Sequence, residues 1–148
     1  MTRQILLFGG LCLSLLLSTS AALAEQAIGS VKTLKGDVLI ERGGATSPAA
    51  VGMPVYANDT VKTTDNAAVG LVLRDDTLIS MGPASMLALK EYQFEPKESR
   101  YSMVLGLLKG TFVYLSGVIG KLAPESIRLE TPDSTIAVRG TRLLVKVN

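Results

Sequence analysis

Short runs in which apolar and polar residues alternate recur along the chain, and that period of two limits the fold more than any other feature. Val69, Leu71 and Leu73 alternate with Gly70 and Val72. Ile127 and Leu129 alternate with Arg128 and Glu130, and Leu143, Val145 and Val147 with Arg142, Leu144 and Lys146. Successive strand side chains point to opposite faces, so each run predicts a half-buried strand. Further short runs cover Asp37 to Glu41, Thr77 to Met81 and Ser85 to Leu89. Gly, Pro, Asn and Asp separate them, and these residues favour turns. Asp75-Asp76 is read as a tight turn. No window carries an i, i+3, i+4, i+7 stripe flanked by caps. Ten or more short strands at this spacing predict an all-β fold, an antiparallel β-sandwich or a solenoid-like stack.

The stretch from Met103 to Leu122 is nearly membrane-like, but Lys109 sits inside it among Gly106, Gly110, Gly117 and Gly120. A Lys at the centre of an inserted helix costs roughly 2.5–3.5 kcal/mol. A Gly costs about 1 kcal/mol relative to Ala in a helix interior. Two buried strands joined at Lys109-Gly110 fit better. Leu34-Lys35-Gly36-Asp37-Val38 and Leu108-Lys109-Gly110-Thr111-Phe112 echo one another, and a turn glycine at positive φ explains both. Residues 43–53 read as a surface loop. Residues 91–100 read as a strand end and loop, not a domain linker.

Residues 1–24 have the layout of a secretory leader. Arg3 opens it, Ile5 to Leu17 form an apolar core, and Ala22-Leu23-Ala24 is an A-x-A cleavage signal. The expected organisation is a cleaved signal peptide over 1–24 and a single β domain over 25–148. The expected location is the periplasm, with secretion beyond it left open and no stable membrane span after cleavage. Cys12 follows Leu11 in the middle of the apolar core, which does not suit a lipoprotein.

The 148 residues include one cysteine, no histidine and no tryptophan. Without histidine, His-ligated metal sites and Ser-His-Asp or Cys-His catalysis drop out. A formal charge of +2 and 5% aromatics give no nucleic-acid footprint.

One order of motifs runs the length of the chain: Gly29-x-Val31, Lys35-Gly36-Asp37-Val38, Gly52-Met53-Pro54-Val55, Asn58-Asp59-Thr60-Val61-Lys62-Thr63 and the stretch from Leu71 to Ser85. It ends at Glu130 to Thr141, where Thr131-Pro132 precedes Val138-Arg139-Gly140-Thr141. This pattern resembles the FecR-like periplasmic domain family. The resemblance implies an all-β extracytoplasmic domain. In the best-known members it belongs to a cytoplasmic-membrane regulator of iron uptake, which takes a signal from an outer-membrane transporter and passes it to a sigma factor. Three residues stand before Gln4, and seven follow Thr141. Direct sigma-factor control is therefore not the expectation. Asp76 also stands where the family's turn carries Gly, which Asp tolerates at positive φ.

The motif residues Asp75, Thr77, Thr131, Pro132, Arg139, Gly140 and Thr141 are expected to be structural. Arg139 has two readings: its planar fork grips an anionic ligand or partner carboxylate, or it locks a turn through a salt bridge or backbone carbonyls. The second is favoured. Gly140 is expected to permit a bend, and Thr141 to bond locally to backbone. Asp59, Asp65, Asp75 and Asp76 lack the spacing of a calcium loop and read as turn chemistry. Glu95 and Glu98 form a weak carboxylate pair for glycoside hydrolysis. Tyr56, Tyr92, Phe94, Tyr101, Phe112 and Tyr114 read as core or strand-pair residues in preference to a sugar-binding face. No cofactor or metal is expected. The expected function is a non-enzymatic periplasmic binding or scaffold domain in envelope signalling or assembly, with an envelope protein as partner. The alternative is a lectin-like domain for carbohydrate or envelope polymer.

Overall fold

The computed structural model describes residues 25–148. The leader, its cleavage signal and Cys12 lie outside the described residues. The strands are β1 (Gly29–Lys35), β2 (Val38–Arg42), β3 (Ala45–Pro48), β4 (Pro54–Val55), β5 (Thr60–Thr63) and β6 (Ala68–Leu73). They continue with β7 (Leu78–Met81), β8 (Met86–Glu95), β9 (Arg100–Leu115), β10 (Ile127–Glu130), β11 (Thr135–Ala137) and β12 (Arg142–Val147). A short α-helix, α1 (Val118–Leu122), follows β9. The all-β expectation holds: twelve strands join in one curled sheet. Every ladder is antiparallel except that between β9 and β10.

The long strand β9 organises the rest. As far as Lys109 it pairs with β8 and β10; from Gly110 onward it pairs with β7 and β12. The sheet thus has two halves. The β8 half runs β3-β2-β5-β8-β9-β10-β11, and the β7 half runs β4-β1-β6-β7-β9-β12. One core cluster draws on both, with Ile40, Val61, Leu87 and Leu105 from the first and Leu71, Ile79 and Phe112 from the second. Full burial of such a side chain contributes about 1.5–3 kcal/mol. The alternating runs of the sequence land as predicted: Val69, Leu71 and Leu73 are buried, and so are Ile127 and Leu129.

Most connections carry the chain from one half to the other. Gly36 (φ +70°) stands at the crossing from β1 to β2, and Gly110 (φ +101°) at the crossing inside β9. Both echoed Leu-Lys-Gly segments are therefore corners at positive φ. Polar side chains tie neighbouring corners together. The Thr63 hydroxyl donates to the Gly82 carbonyl at 2.7 Å and accepts from the Ser85 N–H at 2.8 Å. The Ser85 hydroxyl oxygen accepts from the Thr111 N–H at 3.0 Å.

Three expectations change. The loop over 43–53 contains β3, paired to β2 across the Gly43-Gly44 turn. All four β3 residues are exposed, so burial left no alternation to read. The two strands expected between Met103 and Leu122 are one bent strand, because a partner ladder continues on each side of the bend. Beyond Leu115 the chain turns helical at Val118–Leu122.

Asp76 adopts φ +66°, as its place in the turn predicts. Its side chain is exposed. Asp76→Gly is expected to be neutral or to stabilise by up to about 1 kcal/mol, whereas Asp76→Val should cost about 1–2 kcal/mol, read from urea midpoints.

Candidate functional site

Asp75 and Thr77 flank the β6–β7 turn, and both are fully buried. Asp75 follows β6 in the turn, where Tyr92 of β8 and the start of α1 converge on it. One carboxylate oxygen accepts the Tyr92 hydroxyl at 2.9 Å and the Thr77 N–H at 3.3 Å. The other accepts the Thr77 hydroxyl at 2.8 Å and the Ile119 N–H at 3.1 Å. The Asp75 backbone joins in. Its N–H donates to the Tyr92 oxygen at 2.9 Å, and its carbonyl accepts the Val118 N–H at 2.7 Å. The Thr77 hydroxyl oxygen in turn accepts from the Gly117 N–H at 3.3 Å. Four donors occupy the carboxylate, which suits holding α1 and β8 against the turn. Chemistry on a substrate needs a free lone pair, and these oxygens are committed.

Tyr92 was not singled out as a partner of Asp75 by the sequence, since 17 residues separate them. Burial, with the neighbouring Asp75 charge and hydrogen bond, raises the Tyr92 pKa far above its usual value near 10. Burial also raises that of Tyr114. A raised folded-state pKa means the stabilisation is complete below the unfolded pKa and lost as pH rises above it. The protein is thus expected to unfold progressively above about pH 10, releasing both phenols together. Tyr92→Phe should cost about 1–2 kcal/mol at neutral pH and shift the alkaline transition upward, followed by phenolate absorbance and circular dichroism.

Asp59 is buried under Arg42, whose guanidinium meets both carboxylate oxygens at 2.7 and 2.8 Å. The Tyr56 N–H adds a third donor at 2.9 Å. Arg42 also lies 4.4 Å from the centre of the Tyr56 ring. The hydrogen bond to Asp59 raises the Arg42 pKa against a smaller opposing effect of burial. Asp65 lies in the exposed β5–β6 turn, on its own. The four aspartates do not converge, and no cluster of three or more metal-ligating side chains occurs among the described residues.

Glu95 and Glu98 sit exposed at the tip of the β8–β9 hairpin, and Glu98 pairs with Arg100 at 3.2 Å. The aromatic residues do not share one face. Phe112 and Tyr114 are in the core, Tyr92 is tied to Asp75, and Phe94 and Tyr101 lie against each other with ring centres 6.1 Å apart.

The C-terminal motif forms the β10–β11 hairpin and the corner after it. The Thr131 hydroxyl oxygen accepts the Ser134 N–H at 3.1 Å, closing the turn that holds Pro132. Val138 is buried in the core. Arg139 is exposed, and its side chain makes no hydrogen bond or ion pair among the described residues, so the turn-locking role expected of it is not what forms. Gly140 adopts φ +100°, as the bend requires. Its carbonyl accepts the Ser116 hydroxyl at 3.0 Å. The Thr141 carbonyl accepts the Ser116 N–H at 2.9 Å, a long-range bond to the end of β9 and not a local one. An open cleft of about 590 Å³ lies beside this corner, bordered by Pro124, Glu125 and Arg139. Among the described residues no helix is long and apolar enough to cross a membrane.

Asp59, Thr63, Asp75, Thr77 and Ser85, the buried polar residues of this curled all-β sheet, make their hydrogen bonds at its corners and turns. The FecR protein family model matches residues 59–148, more than half of the chain. The chain is a member of the FecR family, a regulatory and signalling family. No match was found among curated proteins or among solved structures.

Proposed function

We propose that the protein is a non-enzymatic periplasmic binding domain that serves envelope signalling or assembly by contact with another envelope protein. The observation that carries this reading is the open edge of β12. That strand pairs with β9 on one side, and no described strand lies on the other. Its outward backbone groups are available to a partner strand, which gains affinity from main-chain hydrogen bonds. The leader-like residues 1–24 support export. FecR membership supports a signalling role.

The test is capture from an envelope extract, followed by hydrogen exchange on the complex. A recovered envelope protein that slows exchange of the amides over 142–147 supports the reading. Tight binding of a small ligand with no recovered protein would overturn it.

A further inference from the structure

The outer face of the β7 half differs from that of the β8 half. Inward positions of β6, β7 and β9 fill the core, so their alternate residues face out. Register puts Leu78 between Val72 and Leu115 in one row across the strands, with Val113 beside Leu144 in the next. All five side chains are apolar; Leu144 is 67% exposed, and Val72, Leu78, Val113 and Leu115 are half-buried. Outward positions of a solvated sheet are ordinarily polar.

Charge separates the two halves as well. Strands β1, β4, β6, β7, β12 and the β9 segment from Gly110 contain no Asp or Glu, but carry Lys32, Lys35, Arg142 and Lys146. None of these cations is in an ion pair among the described residues. The pairs that do form are Arg42–Asp59, Lys62–Glu41, Lys90–Glu130 and Arg100–Glu98, all from the β8 half and its connections. The β8 half also has cations unpaired among the described residues, Lys109 and Arg128, but its strands carry Glu41, Glu91, Glu95 and Glu130 beside them; the β7 half sets its cations around apolar rows with no acid on its strands.

We propose that this face is a docking surface for an amphipathic, acidic helix of a partner protein. The proposal rests on the protein-binding function above and names the surface and the chemistry of its partner. Central strands of the face have both edges paired, so a partner must meet them through side chains. A helix does this by laying an apolar stripe on a sheet. Five strands span on the order of 20 Å, and a helix of about 14 residues covers that length. Carboxylates along its flanks would meet Lys35 near one edge and Arg142 and Lys146 at the other. A hollow of about 260 Å³ bordered by Thr33, Ala68 and Ser80 gives the floor a depression for a ridge of side chains. A second copy of the same face would set cation against cation, which disfavours self-association.

Two synthetic helical peptides, each long enough to cover that span with a turn to spare, test the proposal, sharing a leucine stripe but flanked by Glu in one and Lys in the other. The Glu peptide is expected to bind the purified protein about tenfold or more tightly than the Lys peptide, weakening with salt. Amide shifts should map to Val72, Leu78, Val113 and Leu115. Leu144→Asp and Arg142→Glu should each reduce the affinity several-fold, on the order expected for an apolar anchor or a paired charge, with circular dichroism unchanged. Equal affinity for both peptides, shifts elsewhere, a salt-resistant dimer or equally strong binding to phosphatidylglycerol vesicles would each overturn it. If the Glu peptide fails to bind while an envelope protein still protects the β12 edge, the docking face is wrong and the binding function stands. If capture fails too, both are wrong.

Discussion

Asp75→Ala should lower the stability of the protein by about 3–5 kcal/mol, the largest loss expected for any single polar side chain in the fold. The carboxylate receives the Tyr92 hydroxyl, the Thr77 hydroxyl and N–H, and the Ile119 N–H in a site closed to water. Leaving a buried donor without an acceptor costs about 1–3 kcal/mol, and charged acceptors form the stronger bonds. Some relaxation is expected, because the Tyr92 oxygen keeps the Asp75 N–H. That is why the total stays below the sum of four lost bonds. Asp75→Asn preserves shape but places an NH₂ among donors, so it should also destabilise, by about 2–3 kcal/mol. Thr77→Val should cost about 1–2 kcal/mol. Combined with Asp75→Ala it should cost clearly less than the two losses added, since both remove the same bond. Urea unfolding measures all of these, with exposed Asp133→Ala as the control within about 0.5 kcal/mol of wild type. A stable Asp75→Ala protein that no longer binds its partner would show that the residue acts at an interface instead.

The same residue shows what the sequence reveals and what it hides. Asp75-Asp76 reads as a turn, and Asp76 at φ +66° is that turn. Local chemistry decides backbone conformation there, so it is legible. The partners of Asp75 are not legible, because Tyr92 and Ile119 lie 17 and 44 residues away and no spacing rule links them. Strands β6 and β10 were visible because each has one buried and one outward face, and β12 because half-buried Leu143, Val145 and Val147 alternate with exposed residues. Exposed β3 shows no alternation, and α1, with five residues, is too short for a helical stripe. The motif order also has a physical meaning that residue types alone do not carry. Lys35-Gly36-Asp37, Gly82-Pro83-Ala84-Ser85 and Arg139-Gly140-Thr141 are each places where the chain passes between the sheet's halves. Arg139 reads from its type as a grip for an anion or, preferably, as a turn lock, and residue type alone does not say whether a partner lies within reach. Its side chain is exposed and makes no hydrogen bond or ion pair among the described residues, and the corner is closed by Ser116.

Gly110→Ala is expected to be as damaging as the loss of Asp75, for a different reason. Gly110 is where β9 leaves β8 and joins β12, so the bend links the two halves of the core. At φ +101° an L side chain is strained, a cost of about 1–2 kcal/mol. A Cβ there would also fall inside Ser85, meeting its Cα as well as its side chain. The Ser85 hydroxyl accepts the Thr111 N–H, so moving Ser85 aside would open a bond at the next residue of the bend. Strain, overlap and a lost bond together put the expected cost at about 4 kcal/mol. Gly140→Ala separates these effects. Its φ of +100° is nearly the same, but nothing lies within 4 Å of the added carbon. It should therefore cost only the conformational part, about 1–2 kcal/mol. Ser85→Ala should not rescue Gly110→Ala, because the backbone overlap at the Ser85 Cα remains. Denaturant midpoints of these variants decide the matter. If Gly110→Ala and Gly140→Ala lose the same stability, backbone conformation alone sets the requirement. A gap of about 2 kcal/mol between them would instead locate it in the close approach of two corners, where the chain must cross from one half of the sheet to the other.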